Sequence, residues 1–292
     1  MQLKPKIFLI LRAARAETLV ASICPIIIGS ILSKLEGFFS FTVFLLTFFF
    51  TIFLHAATNL VNDYFDFINK IDNEKRIAPF STIQTRETSL YQIKKAYLIL
   101  FIFSFIIGLY FIYIGKTLVL SLLFFPFLAG YYYTAGKKPL GYLGFGDLLV
   151  FVFFGPFAVL GTYYLQTYKL SFIPIYVGIG LGFITTAVLI TNNLRDINLD
   201  REGNKKTLAV IFGKRFSQIE YLFCIFIAFL VPIYFFYITN NFLYLLVSFS
   251  LIISPIKIIF NYKQESILNR ALQKTVLTLV IYTILFSIAL FF

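Results

Sequence analysis

The chain has 292 residues, of which 60% are hydrophobic, 20% aromatic and only 13% charged, with a mean hydropathy of +0.88. Soluble domains carry about 25% charged residues, so this composition excludes a soluble globular protein and places the chain in a bilayer. The formal net charge of +12 does not point to nucleic acid. The basic residues sit in loops beside apolar runs, where anionic lipid or a phosphorylated substrate is the better partner.

The first residues, MQLKPKIFLILRAARAETL, place Lys4, Lys6, Arg12 and Arg15 around the short run IFLIL. That run is too short for a secretory signal core, and we read it as an amphipathic lead-in to the first spanning helix. Nine segments approach the roughly twenty apolar residues that a helix needs to cross a bilayer. They lie near 17–35, 41–65, 96–115, 117–135, 143–165, 171–194, 217–238, 241–261 and 273–291. Only Gly115 and Lys116 separate the third from the fourth, which predicts a tight helical hairpin. Cys24 and Cys224 both fall in apolar segments and read as packing residues.

Of the 25 Lys and Arg residues, all but Lys34, Lys116 and Lys169 fall on the side of the N-terminus. The positive-inside rule makes that side cytoplasmic and, after nine spans, puts the C-terminus outside the cell membrane. The expectation is an all-α integral membrane protein with about nine transmembrane helices, forming one polytopic domain over residues 1–292.

The second span runs into NLVNDYFDFINKIDNEKR, residues 59–76, where Asn62, Asp63, Asp66 and Asp72 arrive within eleven residues. Carboxylates at the mouth of a membrane helix are costly and default to a functional reading. If the helix continues, Asn62 and Asp66 are i and i+4, and Asp63 and Asp66 are i and i+3, so they share a face. Clustered hard oxygens suit Mg²⁺, which keeps waters and takes its remaining ligands from substrate phosphate.

The sixth span ends in TNNLRDINLDREGNKKTLAVIFG, residues 191–213. Asn192, Asp196 and Asp200 recur at i, i+4 and i+8, again one helical face. Arg195, Arg201, Lys205 and Lys206 surround them, and Gly203 offers a turn that folds the basic tail back over the carboxylates. Both motifs sit at cytoplasmic helix ends and continue into bases, a weak internal repeat that divides the chain into halves of about 1–140 and 141–292.

Two such clusters can converge on two Mg²⁺ ions bridging a diphosphate, with Lys and Arg neutralising the rest of its charge. An allylic diphosphate neutralised in this way ionises to a carbocation, which aromatic faces stabilise. Tyr131, Tyr132 and Tyr133 stand at the cytoplasmic end of the fourth span, where interfacial anchoring is their other reading. An apolar tunnel between helices would hold the isoprenoid tail. His55, the single histidine, lies seven residues before Asn62 and reads as a packing or hydrogen-bonding group.

These two stretches, with YYYTAGKKPLGYLGFGDLLVFVFFGPFAVLGTYYLQ between them, resemble the UbiA-type intramembrane prenyltransferases. The likeness is strongest to the branch that prenylates 1,4-dihydroxy-2-naphthoate in the menaquinone pathway. Here Asp72 lies six residues after Asp66, and Lys70 stands where the 4-hydroxybenzoate branch has its last Asp. The first helix departs from the common RPxT in having Arg15-Ala16-Glu17-Thr18.

The resemblance implies a central cavity open to the cytoplasm and Mg²⁺-dependent ionisation of a polyprenyl diphosphate. It further implies attack by the aromatic acceptor at its carboxylated carbon, with release of CO₂ and diphosphate. Carried onto this chain, it makes Asn62, Asp66, Asp196 and Asp200 the metal or diphosphate ligands, with Asn192 and Asp63 adjoining and Asp72 in the following loop. Arg76, Lys138, Arg195 and Arg201 become diphosphate contacts. Tyr133 serves the cation or the acceptor, and Asp66, Asp196, Asp200 and Tyr133 form the catalytic set. Two alternatives remain in view. One is the same chemistry on another acceptor, such as homogentisate, 4-hydroxybenzoate, a chlorophyllide-type alcohol or glycerol phosphate. The other is a cation or phosphometabolite transporter, whose site would sit nearer the bilayer midplane.

Overall fold

The structure is a computed structural model that describes residues 6–69, 71, 81–136, 138–252 and 255–292. Among these every regular element is helical, with no strand. The helices are α1 (Lys6–Ala13), α2 (Ala16–Leu35), α3 (Phe41–Ile68), α4 (Leu90–Tyr132), α5 (Gly146–Phe154) and α6 (Pro156–Thr167), followed by α7 (Phe172–Arg195), α8 (Ile197–Glu202), α9 (Leu208–Thr239), α10 (Leu243–Ile252), α11 (Ile256–Asn261) and α12 (Leu268–Phe291). A 3₁₀ turn covers Leu140–Leu143.

Seven helical stretches are long and apolar enough to cross a membrane: Thr18–Leu35, Phe41–Ile68, Leu90–Gly115, Gly146–Thr167, Phe172–Arg195, Leu208–Thr239 and Glu265–Phe291. Among the described residues, the stretches expected as the fourth and eighth spans hold only shorter helices, Leu122–Tyr132 and the pair α10 and α11, which do not reach that length. Apolar side chains such as Ile102, Phe103, Phe105 and Ile106 are more than half exposed along the first limb of α4. In water such a surface would drive association; facing lipid tails it is at rest. The chain is an integral membrane protein.

The predicted hairpin is present, as two helical limbs within the range of α4. A straight helix of its length would span about 64 Å, and would hold Phe101 and Phe127 about 39 Å apart. Their ring centroids are instead 5.9 Å apart, and Phe101 also meets Tyr131 at 6.5 Å. The chain therefore doubles back near Gly115, and both limbs pack on α3, where Phe50 touches Phe111 and Phe127.

The main core lies between α2, α7, α9 and α12. Leu181, Ile184, Leu194, Tyr221, Ala228, Tyr282 and Phe286 within it are fully buried. Close approach at its edge depends on glycine. The span after the 3₁₀ turn breaks at Gly155, and a Cβ there would stand 2.6 Å from both the Gly178 carbonyl oxygen and the Gly182 Cα of α7. Pro156 restarts the helix as α6 at a position where its missing N–H costs nothing.

Lys34 and Lys169, two of the three bases outside the main charged side, lie at the end opposite the acidic motifs. Lys34 stands over the Phe291 ring at 5.5 Å, and Lys169 pairs with Glu36 at 3.8 Å.

Candidate active site

Helix α3 continues through Ile68, so Asn62, Asp63 and Asp66 do share its last two turns. The second motif is not one helix. Helix α7 stops at Arg195, Asp196 is its C-cap at φ −96°, ψ 9°, and α8 resumes at Ile197. The i, i+4, i+8 face expected for Asn192, Asp196 and Asp200 is therefore broken at its middle member. The change of direction tucks Asp200 inward until it is 2% exposed, while Asp196 turns back to Arg195.

The return of the basic tail is as expected, but Gly203 does not make its turn. Gly203 has φ −85°, and Asn204 takes the left-handed conformation at φ 56°. Glycine is required at 203 for another reason. A Cβ there would stand 2.7 Å from Ile71 Cγ1, so the absent side chain lets the second motif's loop settle on the first. The amide of Lys205 then donates to the Asp200 carbonyl at 2.8 Å, and that of Lys206 to the Tyr142 carbonyl at 3.0 Å.

The result is a connected polar line across the two motifs. The Tyr142 hydroxyl donates to Asp66 Oδ1. Lys205 Nζ lies over the Tyr142 ring at 5.6 Å and 3.4 Å from Asp200 Oδ1. Burial pushes the Asp200 carboxyl up to about 6, against the pull of Lys205. Burial by itself would lower the Lys205 ammonium; Asp200 and Asp66 more than offset this and hold it above its ordinary value. Among the described residues, Asp200 Oδ2 is buried with no hydrogen-bond partner.

The remaining acidic residues are held by arginines. Asp63, 2% exposed, accepts from Arg15 at 2.8 Å, and Arg15 is the left-handed residue, at φ 53°, that separates α1 from α2. Asp196 accepts two hydrogen bonds from Arg195, at 2.9 and 2.6 Å, and Arg195 also donates to Asn269 at 2.9 Å. Lys138 and Arg201 are exposed and make no ion pair among the described residues. Asp72 and Arg76 lie outside the described residues.

A cavity of about 260 Å³ opens between these helices. At one end it is polar, lined by Arg15, Asn59, Asn62, Tyr133 and Asn192; beyond them the wall becomes apolar, with Ile26, Phe50, Leu122, Leu123 and Leu165. On α3 the lining residues Thr47, Phe50, Thr51, Leu54, His55, Thr58, Asn59 and Asn62 follow the i, i+3, i+4, i+7, i+8 pattern of one helix face. The tyrosine triplet divides: Tyr131 and Tyr132 are exposed, whereas Tyr133 turns into the cavity. Thr134 donates to Asn62 Oδ1, fixing which way that amide points.

Lys205 and Tyr142 were not singled out from the sequence. Lys205 is one base among several, and only the turn after α8 distinguishes it. Tyr142 carries no signal in its own neighbourhood, because the contact with Asp66 spans 76 residues.

A profile of the UbiA prenyltransferase family matches residues 22–279. The chain belongs to that family. It is therefore a prenyltransferase. Over 290 residues it is 34% identical to the 1,4-dihydroxy-2-naphthoate octaprenyltransferase of Haemophilus influenzae, covering 95% of this chain and 94% of that one. Two solved structures show the same fold. The apo UbiA homolog from Aeropyrum pernix K1 superposes with a TM-score of 0.71 at 12% identity, over 92% of this chain and 97% of that one. The UbiA homolog from Archaeoglobus fulgidus bound to DMAPP and Mg²⁺ gives 0.60 at 15%, over 96% and 99%.

Proposed function

We propose that this protein transfers a polyprenyl group from polyprenyl diphosphate to 1,4-dihydroxy-2-naphthoate, releasing CO₂ and diphosphate and giving demethylmenaquinone in its hydroquinone form, demethylmenaquinol. The observation that carries the reading is the cavity itself, whose polar end is lined by Asn62 and Asn192, one from each acidic motif, with an apolar length beyond. That shape suits an amphiphile with an anionic head and a hydrocarbon tail. The naphthoate acceptor is supported by the relatives in Haemophilus influenzae and Escherichia coli, both named as 1,4-dihydroxy-2-naphthoate octaprenyltransferases at 34% and 35% identity.

The residues fit a hard divalent cation. Asn62, Asp66, Asn192, Asp196 and Asp200 offer carbonyl and carboxylate oxygens, and the unpartnered Asp200 Oδ2 is an oxygen that a cation would satisfy. Among the described residues no three Asp, Glu, His or Cys side chains come together to hold a metal ion by themselves, so amide oxygens, water and substrate phosphate would have to complete the shell. Mg²⁺ bound there would neutralise charge building on the diphosphate as the allylic C–O bond breaks.

The chain's own groups supply the rest. Lys205 faces the diphosphate from between Asp66 and Asp200, and Lys138, Arg195, Arg201 and Arg76 add positive charge around it. Asp63 and Arg15 hold the start of α2 against α3. The ring of Tyr133 presents a negative face to the allylic cation. The acceptor's carboxylated ring carbon then forms the new C–C bond, and CO₂ departs leaving its electron pair to restore the aromatic ring. We place this polar end on the cytoplasmic side of the plasma membrane, because the basic loops gather there.

The test is transfer from radiolabelled geranylgeranyl diphosphate to a panel of 1,4-dihydroxy-2-naphthoate, 4-hydroxybenzoate and homogentisate, with and without Mg²⁺. Prenylation of the naphthoate alone supports the proposal; prenylation of another member in its place reassigns the acceptor.

A further inference from the structure

Beyond the acidic motifs the cavity wall is apolar except for hydroxyls that are already engaged. Thr51 and Thr58 donate to the Thr47 and Leu54 carbonyls of their own helix at 2.9 Å, and Thr162 and Thr185 do the same to Ala158 and Leu181 at 2.8 Å. Bonds of this kind leave no donor for a ligand. His55 differs. It lies on the cavity face of α3, seven residues and about 10 Å along the axis from Asn62. Its Nδ1 meets Ser22 Oγ of α2, and its ring stands edge-on to Phe154 at 5.0 Å. Its Nε2 has no partner among the described residues.

Ser22 fixes the tautomer. It is 1% exposed and makes no other hydrogen bond among the described residues, so its hydroxyl proton goes to Nδ1. A neutral imidazole that accepts at Nδ1 carries its proton on Nε2. The apolar part of the cavity therefore contains a fixed, unused N–H donor. An isoprenoid tail has no oxygen to meet it, and the diphosphate is held two turns away.

We propose that His55, oriented by Ser22 and Phe154, donates a hydrogen bond to a ring oxygen of the aromatic acceptor and selects that acceptor. The inference rests on the reading above that the second substrate is an oxygenated aromatic ring. Its physical basis is that a site built to bond a substrate oxygen discriminates against analogues that leave the buried donor unpaired.

The test uses the purified full-length protein with three variants. His55→Phe keeps the ring against Phe154 and removes both nitrogens. His55→Gln keeps an N–H donor, and Ser22→Ala releases the tautomer. We expect His55→Phe to lower kcat/KM for the dihydroxynaphthoate by about ten- to a hundredfold, the loss of one buried hydrogen bond, while KM for prenyl diphosphate stays unchanged. His55→Gln recovers part of the loss. The wild type discriminates against one monohydroxy analogue, and His55→Phe loses that discrimination.

Equal losses on both substrates, or wild-type acceptor kinetics in His55→Phe, overturn the proposal. If His55→Phe fails to fold, shown by loss of prenyl diphosphate binding, Ser22→Ala decides: lower acceptor kcat/KM with prenyl diphosphate KM intact supports it, and unchanged acceptor kinetics overturn it. A wild type that binds prenyl diphosphate and prenylates none of the aromatic acceptors removes the underlying functional reading, and this inference with it.

Discussion

Lys205 Nζ stands 3.4 Å from Asp200 Oδ1, and the second oxygen of that carboxylate is buried without a partner among the described residues. One oxygen of Asp200 is thus neutralised by Lys205, and the other is open to a cation. The same lysine lies over the ring of Tyr142, whose hydroxyl is bonded to Asp66. Substitution of Lys205 by Met should separate its two effects. Losing a charged contact should raise KM for prenyl diphosphate by about ten- to a hundredfold. Leaving Asp66 and Asp200 less neutralised should tighten Mg²⁺ binding. Weaker binding of both by Lys205→Met would show that the lysine only supports the fold.

The carboxylates themselves should be indispensable. Asp66→Ala and Asp196→Ala are each expected to lower turnover by at least about a hundredfold, since even outer-shell partners of a metal cost up to that much. Both variants should elute from size exclusion in detergent as the wild type does. Wild-type rates in either would remove it from the site.

The pair of Arg15 and Asp63 should respond asymmetrically. Asp63 is nearly inaccessible, with 3% of its side chain exposed against 30% for Arg15. Removing the arginine strands a buried carboxylate, at a cost of about 3–5 kcal/mol; removing the carboxylate leaves a cation that can still reach solvent. Thermal unfolding in detergent should therefore show a larger drop for Arg15→Ala than for Asp63→Asn. The reverse order would mean that Arg15 acts chiefly elsewhere.

Backbone contact between α7 and the break before α6 offers a fourth check. A Cβ on Gly155 would meet backbone atoms that cannot yield, whereas one on Gly161 has nothing within 4 Å. Gly155→Ala should destabilise by about 1–3 kcal/mol, the usual cost of overpacking, and Gly161→Ala should leave the thermal midpoint where it is.

Much of this architecture is legible in the sequence because a bilayer makes simple demands. Apolar runs of spanning length, and bases collected on one side, follow from hydration energy alone. The hairpin at Gly115 needed only two residues between two apolar runs. What the sequence conceals are changes of direction and long-range partners. Helical spacing put Asn192, Asp196 and Asp200 on one face, but spacing carries no notice that the helix ends at Arg195. Nor does it show that Asp63 and Asp196 are each held by an arginine, or that Tyr133 turns inward while Tyr131 and Tyr132 turn out. Lys205 became distinct only once Asn204 reversed the chain and Gly203 allowed the loop to lie on Ile71.

The central claim is that the two motifs ionise a prenyl diphosphate for attack by the carboxylated carbon of dihydroxynaphthoate. The most direct measurement gives the protein geranylgeranyl diphosphate labelled in the prenyl chain and dihydroxynaphthoate labelled in the carboxyl group. Product and CO₂ are then counted together, with Mg²⁺ present or chelated. We expect one labelled CO₂ for each prenylated ring, and neither when Mg²⁺ is removed. A prenylated product that keeps its carboxyl label, or transfer that persists without any divalent metal, would contradict the account.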